Sequence, residues 1–231
     1  MSGRLAQALE RINRKERNLL IRAALGHKEV PLRLSSAFRK QVAKKLNLMS
    51  EVPEDAWWAT DYHISWLAGA LTVYVEGDGA LTTAKPNPWF GERRLVEGNQ
   101  EDVDLVVAFG KELLLIEAKA YGAFSNAQLA SKLVRLNLLH DYYKGLGLAT
   151  ECPVNFRILL ISPMPPQKLT TIWPNWVRAE AGVPWIPLEL NTSASVLEVR
   201  RCNQDGQISA AGDHWRVVPH GSNSKFLAHQ L

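Results

Sequence analysis

The chain has 231 residues, a formal charge of +4, 46% hydrophobic and 22% charged residues. That balance fits a folded domain and excludes a disordered or collagen-like chain, and no run approaches the about 18 apolar residues of a membrane-spanning helix. Two cysteines, Cys152 and Cys202, are too few for a disulfide framework or a cysteine-ligated zinc site.

In chain order, the first residues, MSGRLAQALERINRKER, lack the apolar core of a secretory leader, so a cytoplasmic protein with no membrane partner is expected. Residues 4–25 read as one helix, with Leu5, Leu9, Ile12, Leu19 and Leu20 at helical spacing and Gly26 as its stop. Ser35 or Ser36 caps a second helix through Leu48, with Phe38, Val42 and Leu46 on one stripe and Arg39, Lys40, Lys44 and Lys45 on the other face. Residues 1–50 hold twelve Lys and Arg against three acids, a local charge of +9 that leaves −5 on the rest. Such a segment suits a polyanion or an acidic partner protein, or is simply a solvated helical face. It is expected to be a basic helical extension, 1–50, preceding a domain over 51–231.

A third helix is expected over 57–75, then loop or irregular strand over 77–91, and a strand at 92–98. VDLVVAF (103–109) and ELLLIEAK (112–119) read as strands, 126–143 as a helix, and NFRILLIS (155–162) as a strand buried within a sheet. Residues 167–190 read as helix or turn followed by a short strand at PWIPLEL, and VLEVRRC with HWRVVP as a closing hairpin. His63, His140 and His214 have no metal-ligand spacing, and the tryptophans sit at positions better suited to core packing than to base stacking.

The stretch from Asp102 to Lys119 carries the chemistry. Gly110-Lys111 fits a two-residue type II′ turn, which pairs Phe109 with Glu112 and sets Asp104 opposite Glu117 and Asp102 opposite Lys119. Strand alternation puts Asp104, Glu117 and Lys119 on one face, at one end of an otherwise apolar hairpin. Carboxylates directly opposed on neighbouring strands have Cβ atoms about 5 Å apart and repel unless a cation or proton is shared. Lys119 offsets part of that repulsion, and a hard divalent ion would offset more. Beyond the hairpin, Gln128, Lys132 and Arg135 share a helix face that could hold a nucleic-acid backbone. Ser125-Asn126-Ala127-Gln128 also fits a capping box, which would give Gln128 a purely structural task.

Asp104, Glu117-Ala118-Lys119 and the apolar hairpin joining them, followed by a helix and a buried strand, resemble the PD-(D/E)XK nuclease superfamily over about residues 57–162. The proline of that pattern is missing, with Val103 in its place. The resemblance implies an α/β restriction-endonuclease-like core: a central mixed sheet flanked by helices, here with an N-terminal helical extension and a C-terminal β-hairpin. It implies a Mg²⁺- or Mn²⁺-dependent phosphodiester hydrolase acting on nucleic acid, DNA rather than RNA. Asp104, Glu117 and the Ala118 carbonyl would hold the metal, Lys119 would orient the attacking water, and Gln128 would stand near the metal. Glu76, or Asp61, would be an additional acid. Arg39, Lys40, Lys44, Lys45, Lys132 and Arg135 would contact the nucleic acid, and the N-terminal helices could also form a homodimer or dock a partner protein. The alternative is a catalytically silent nucleic-acid-binding module on the same fold.

Overall fold

A computed structural model describes residues 3–98, 101–121, 124–146, 148, 149, 151–166, 169, 172–177, 183–189 and 196–220. Two compact units are formed, Met1–Leu188 and Glu189–Leu231. The larger unit is α/β, built on a five-stranded mixed sheet in the order β1 (Trp57–His63), β4 (Asp102–Phe109), β5 (Glu112–Ala118), β6 (Asn155–Ser162) and β7 (Trp185–Pro187).

The N-terminal helix is broken in two, α1 (Arg4–Ile12) and α2 (Glu16–Ala24). Asn13 leaves the helical region at ψ 112°, and its side-chain oxygen accepts the Lys15 amide, a local bond that competes with continued helix. Gly26 ends α2 at φ +66°, as expected of a C-terminal glycine. Leu5 and Leu9 of α1 are fully buried in the main core. The basic segment is therefore part of the larger unit and not an extension outside it. α2 differs, exposing Leu19, Leu20, Ile21 and Leu25. α3 (Ser36–Lys45) starts where Ser35 Oγ accepts the Phe38 amide.

The expected helix over 57–75 is a strand followed by a helix. Trp57–His63, rich in aromatic and β-favouring residues, is strand β1, and Ile64–Glu76 is α4. His63 marks the boundary, its ring nitrogen accepting the Ser65 amide as an N-terminal cap. A 3₁₀ turn follows over Gly77–Leu81. Of the strand expected at 92–98, only Arg93–Arg94 (β3) forms, pairing with Trp89–Phe90 (β2) in a small hairpin.

Strands β4 (Asp102–Phe109) and β5 (Glu112–Ala118) are joined at Gly110, φ +52°, and pair from Phe109↔Glu112 to Leu105↔Ile116, the expected register. α5 (Asn126–Gly145) returns the chain to β6 (Asn155–Ser162), which runs parallel to β5 as a helical crossover requires. β7 (Trp185–Pro187) closes the sheet. The remainder of the 167–190 segment falls partly outside the described residues. One sheet face, with Val106, Ala108, Leu113 and Leu115, packs with α1, α4 and α5; the other, with Val107, Leu114 and Ile116, packs with α3. In the smaller unit β8 (Leu197–Cys202) and β9 (His214–Pro219) form the expected hairpin.

Because Leu9 has no exposed surface, Leu9→Ala should lower the unfolding free energy by about 3 kcal/mol in equilibrium urea denaturation. A loss below about 1 kcal/mol would show that the N-terminal segment does not share the core.

Candidate functional site at a fork in the sheet

The β4–β5 ladder stops one pair short of Asp104 and Glu117. Beyond that point β4 stays with β1 through Val103 and Asp102, while β5 stays with β6 through Ala118. The two strands part. In a continued antiparallel ladder the Ala118 amide would reach the Val103 carbonyl. It donates instead to Asp104 Oδ2 at 2.7 Å. The carboxylate thus replaces a backbone acceptor and holds the fork open.

An ammonium fills the opening. Lys132 comes from α5, buried, and its Nζ donates to Glu117 Oε2 at 2.6 Å and to the Asp102 carbonyl at 2.7 Å. One contact lies on each strand. Glu117 is itself buried, and its other oxygen, Oε1, has no hydrogen-bond partner among the described residues. Burial pushes the Glu117 carboxyl up to about 7; Lys132 pulls it back, and the negative charge of Asp104 adds to the rise. Asp102 Oδ2 pairs with Lys15, and Asp102 Oδ1 is a second orphaned oxygen.

Behind the fork a buried arginine and three part-buried charged groups form a network. Arg135, with 0% exposure, donates to Glu101 Oε2 at 3.2 Å, Ser65 Oγ at 3.0 Å, and the carbonyls of Leu95 at 2.9 Å and Arg94 at 3.3 Å. Arg93 adds bonds to Glu97, Glu101 and Ser131. These contacts tie the 93–101 segment to α4 and α5.

Several expected placements are corrected. Lys132 and Arg135 do not form a phosphate-facing surface, because both are buried and engaged by carboxylates and carbonyls. Arg39 is half-buried, donating to the Leu34 and Val52 carbonyls, which makes it a brace for its own helix rather than a free cation. Lys40, Lys44 and Lys45 are exposed, but α3 lies on the sheet face opposite Glu117. Glu76 ends α4, about 18 Å of helix from the end that meets β4, and pairs with Lys85 at 2.6 Å. Asp61 pairs with Arg17 at 3.8 Å and is nearer to Asp104 in register. The β1–β4 register skips one position between Thr60↔Leu105 and Tyr62↔Val103, where Asp61, at φ +52°, stands across from Asp104.

Lys119 follows β5 half-buried, its amide donating to Ile161 O at 2.8 Å, and Asp102 faces His63 rather than Lys119 in the ladder. Gln128 sits in the exposed first turn of α5, with its amide on Ser125 Oγ at 3.5 Å, so the capping expected of Ser125 is formed. Lys132 as the partner of Glu117 is the functional contact that sequence reasoning missed. Its only sequence signal is a lysine in the second turn of a helix that follows the (D/E)-x-K element.

The donor chemistry suits a hard cation that keeps most of its water. Mg²⁺ needs only one or two carboxylates, and Asp104 and the orphaned Glu117 Oε1 provide them. Among the described residues no group of three or more His, Cys, Asp or Glu side chains is placed to hold a metal ion. No family model, curated protein or solved structure matches the chain.

The folded chain holds the Glu117 proton more tightly than an unfolded chain does, where the carboxyl has its ordinary value near 4.5. In chelator, the stability from this group is therefore complete below about pH 4.5 and is lost as pH rises through about 7, a change of about 3 kcal/mol. Glu117→Gln should flatten that part of the stability–pH curve. An unchanged slope would mean that Glu117 titrates normally.

Proposed function

We propose that the protein is a metal-dependent nuclease, hydrolysing phosphodiester bonds of nucleic acid, DNA rather than RNA, on a restriction-endonuclease-like core. The observation that carries this reading is the pair of carboxylates at the fork, Asp104 braced by the Ala118 amide and Glu117 braced by Lys132 with one oxygen left over. Glu117 is buried and Asp104 beside it is half-buried, and keeping a second acid there is costly when a structural ion pair would need only one of them.

Asp104, Glu117 and the Ala118 carbonyl are the groups that would hold Mg²⁺ or Mn²⁺. When bound, such an ion supplies a Lewis acid for the scissile phosphate and a more acidic water. Lys132 fixes which Glu117 oxygen is available by binding the other. Lys119, directly after β5, orients the water and offers positive charge to the phosphoryl oxygens. Gln128, exposed in the first turn of α5, would stand near the metal on this reading. Lys40, Lys44 and Lys45 contribute non-specific attraction for the polyanion. A homodimer or partner contact through the N-terminal helices belongs to the same proposal, supported by the exposed Leu19, Leu20, Ile21 and Leu25 of α2.

A second reading, a catalytically silent nucleic-acid-binding module, is favoured by one observation: the Lys132 ammonium already neutralises Glu117. Incubation with linear, circular and single-stranded DNA and with RNA, in Mg²⁺, separates the two. The nuclease reading expects cleavage that Asp104→Asn, Glu117→Gln and Lys119→Ala each lower at least about 100-fold, with the circular dichroism of the fold retained. Salt-dependent binding without cleavage by the wild type would establish the silent module instead.

A further inference from the structure

The small β2–β3 hairpin carries an aromatic pair that the core does not use. Trp89 is 66% and Phe90 69% exposed. Most other tryptophans of the larger unit are packed: Trp57 is in the core, and the indole N–H groups of Trp58, Trp176 and Trp185 donate to Leu32 O, Asn137 Oδ1 and Ser162 Oγ. An exposed tryptophan normally sits on a mobile loop, but this one does not. Asn87 bonds Val96 through both its side-chain oxygen and nitrogen at 2.9 Å, Leu95 N donates to Pro88 O at 2.9 Å, and Gly91 makes the turn at φ +60°. The ring is therefore held out into solvent by a braced hairpin, and little conformational freedom remains to be lost on binding.

Its cross-strand partner is Arg94, whose guanidinium lies 5.7 Å from the Trp89 ring centroid. Arg94 is exposed, and among the described residues no carboxylate pairs with it. Its neighbour Arg93 points the other way and anchors the hairpin to Ser131 and Glu101. Ser131 immediately precedes Lys132, and Glu101 immediately precedes Asp102, so the hairpin stands at the flank of the fork.

A flat, exposed aromatic ring with a guanidinium over it that meets no carboxylate among the described residues matches a flat, electron-rich group next to an anion. A nucleic-acid base with its phosphate has that chemistry. In an intact duplex the faces of the bases are already stacked, so only an unpaired base can use such a ring. We propose that Trp89 and Arg94 form a stacking platform for an unpaired base of single-stranded nucleic acid, placing the adjoining phosphate toward the fork. The ligand class rests on the nucleic-acid reading above; the platform itself does not depend on hydrolysis.

The test is fluorescence anisotropy in chelator, with labelled twenty-nucleotide oligo-dT and oligo-rU and a duplex closed by loops at both ends. With no divalent ion present, absence of cleavage has no bearing on the result. Trp89→Ala should weaken binding of at least one single strand about 10-fold, and Trp89→Phe should restore most of it, while duplex binding stays within about twofold. Arg94→Ala should weaken the same strand and lower the salt dependence of its binding. Comparing dT with rU shows whether the platform takes DNA, RNA or both. Wild-type affinity of Trp89→Ala for both single strands, or no single-strand binding by the wild type, would overturn the proposal.

Discussion

Two strands that diverge inside a sheet leave backbone groups without ladder partners and bring side chains of the same sign close together. Here the divergence falls at Asp104 and Glu117, and one ammonium, Lys132 Nζ, spans it with a bond to each strand. Much else follows from that bridge. α5 has to run across the mouth of the fork to deliver Lys132. The Ser125 cap fixes where the helix begins, and Leu129, Leu133 and Leu136 bury the helix against the sheet face that carries Glu117. Asp104, denied a place in the ladder, takes the Ala118 amide with its side chain. A buried carboxylate with one oxygen satisfied and the other not is the consequence.

The surrounding charges are arranged around the same constraint. Lys15 neutralises Asp102 from the break between α1 and α2, so the basic segment contributes a cation to the centre of the molecule as well as to its surface. Buried Arg135, with Arg93, gathers the part-buried Glu97 and Glu101 into one ion-pair network. Breaking a buried ion pair by removing one partner costs several kcal/mol, since the remaining charge is stranded. The network therefore fixes the segment that bears the β2–β3 hairpin and, with it, the position of Trp89 relative to α5.

The strongest elements were legible in the sequence because their patterns are local. Gly110-Lys111 between two apolar runs fixed the hairpin register, and Ser125 and Ser35 marked helix starts through bonds only three residues long. Trp57–His63 was misread as helix because an apolar, aromatic run has no period that separates a buried strand from a buried helix. The break at Asn13 was missed because a side chain competing with its own backbone leaves the hydrophobic spacing intact. Within the site, the register leads to Asp104 and Glu117 but the ladder ends one pair before them, and the partner of Glu117 does not follow from register at all: Lys132 reaches it across the fork, a contact set by how α5 packs. Arg135 and Lys132 looked like a phosphate-binding face for the same reason, since helical spacing says which residues share a face but not which way the face is turned.

The central claim is that the fork, with its two carboxylates, is a site for a divalent cation. Mn²⁺ titration followed by electron paramagnetic resonance reads this directly, without substrate. The account predicts one bound ion per wild-type chain, displaced by Mg²⁺ and lost in both Asp104→Asn and Glu117→Gln. No bound ion in the wild type, or equal binding in the two variants, would contradict it.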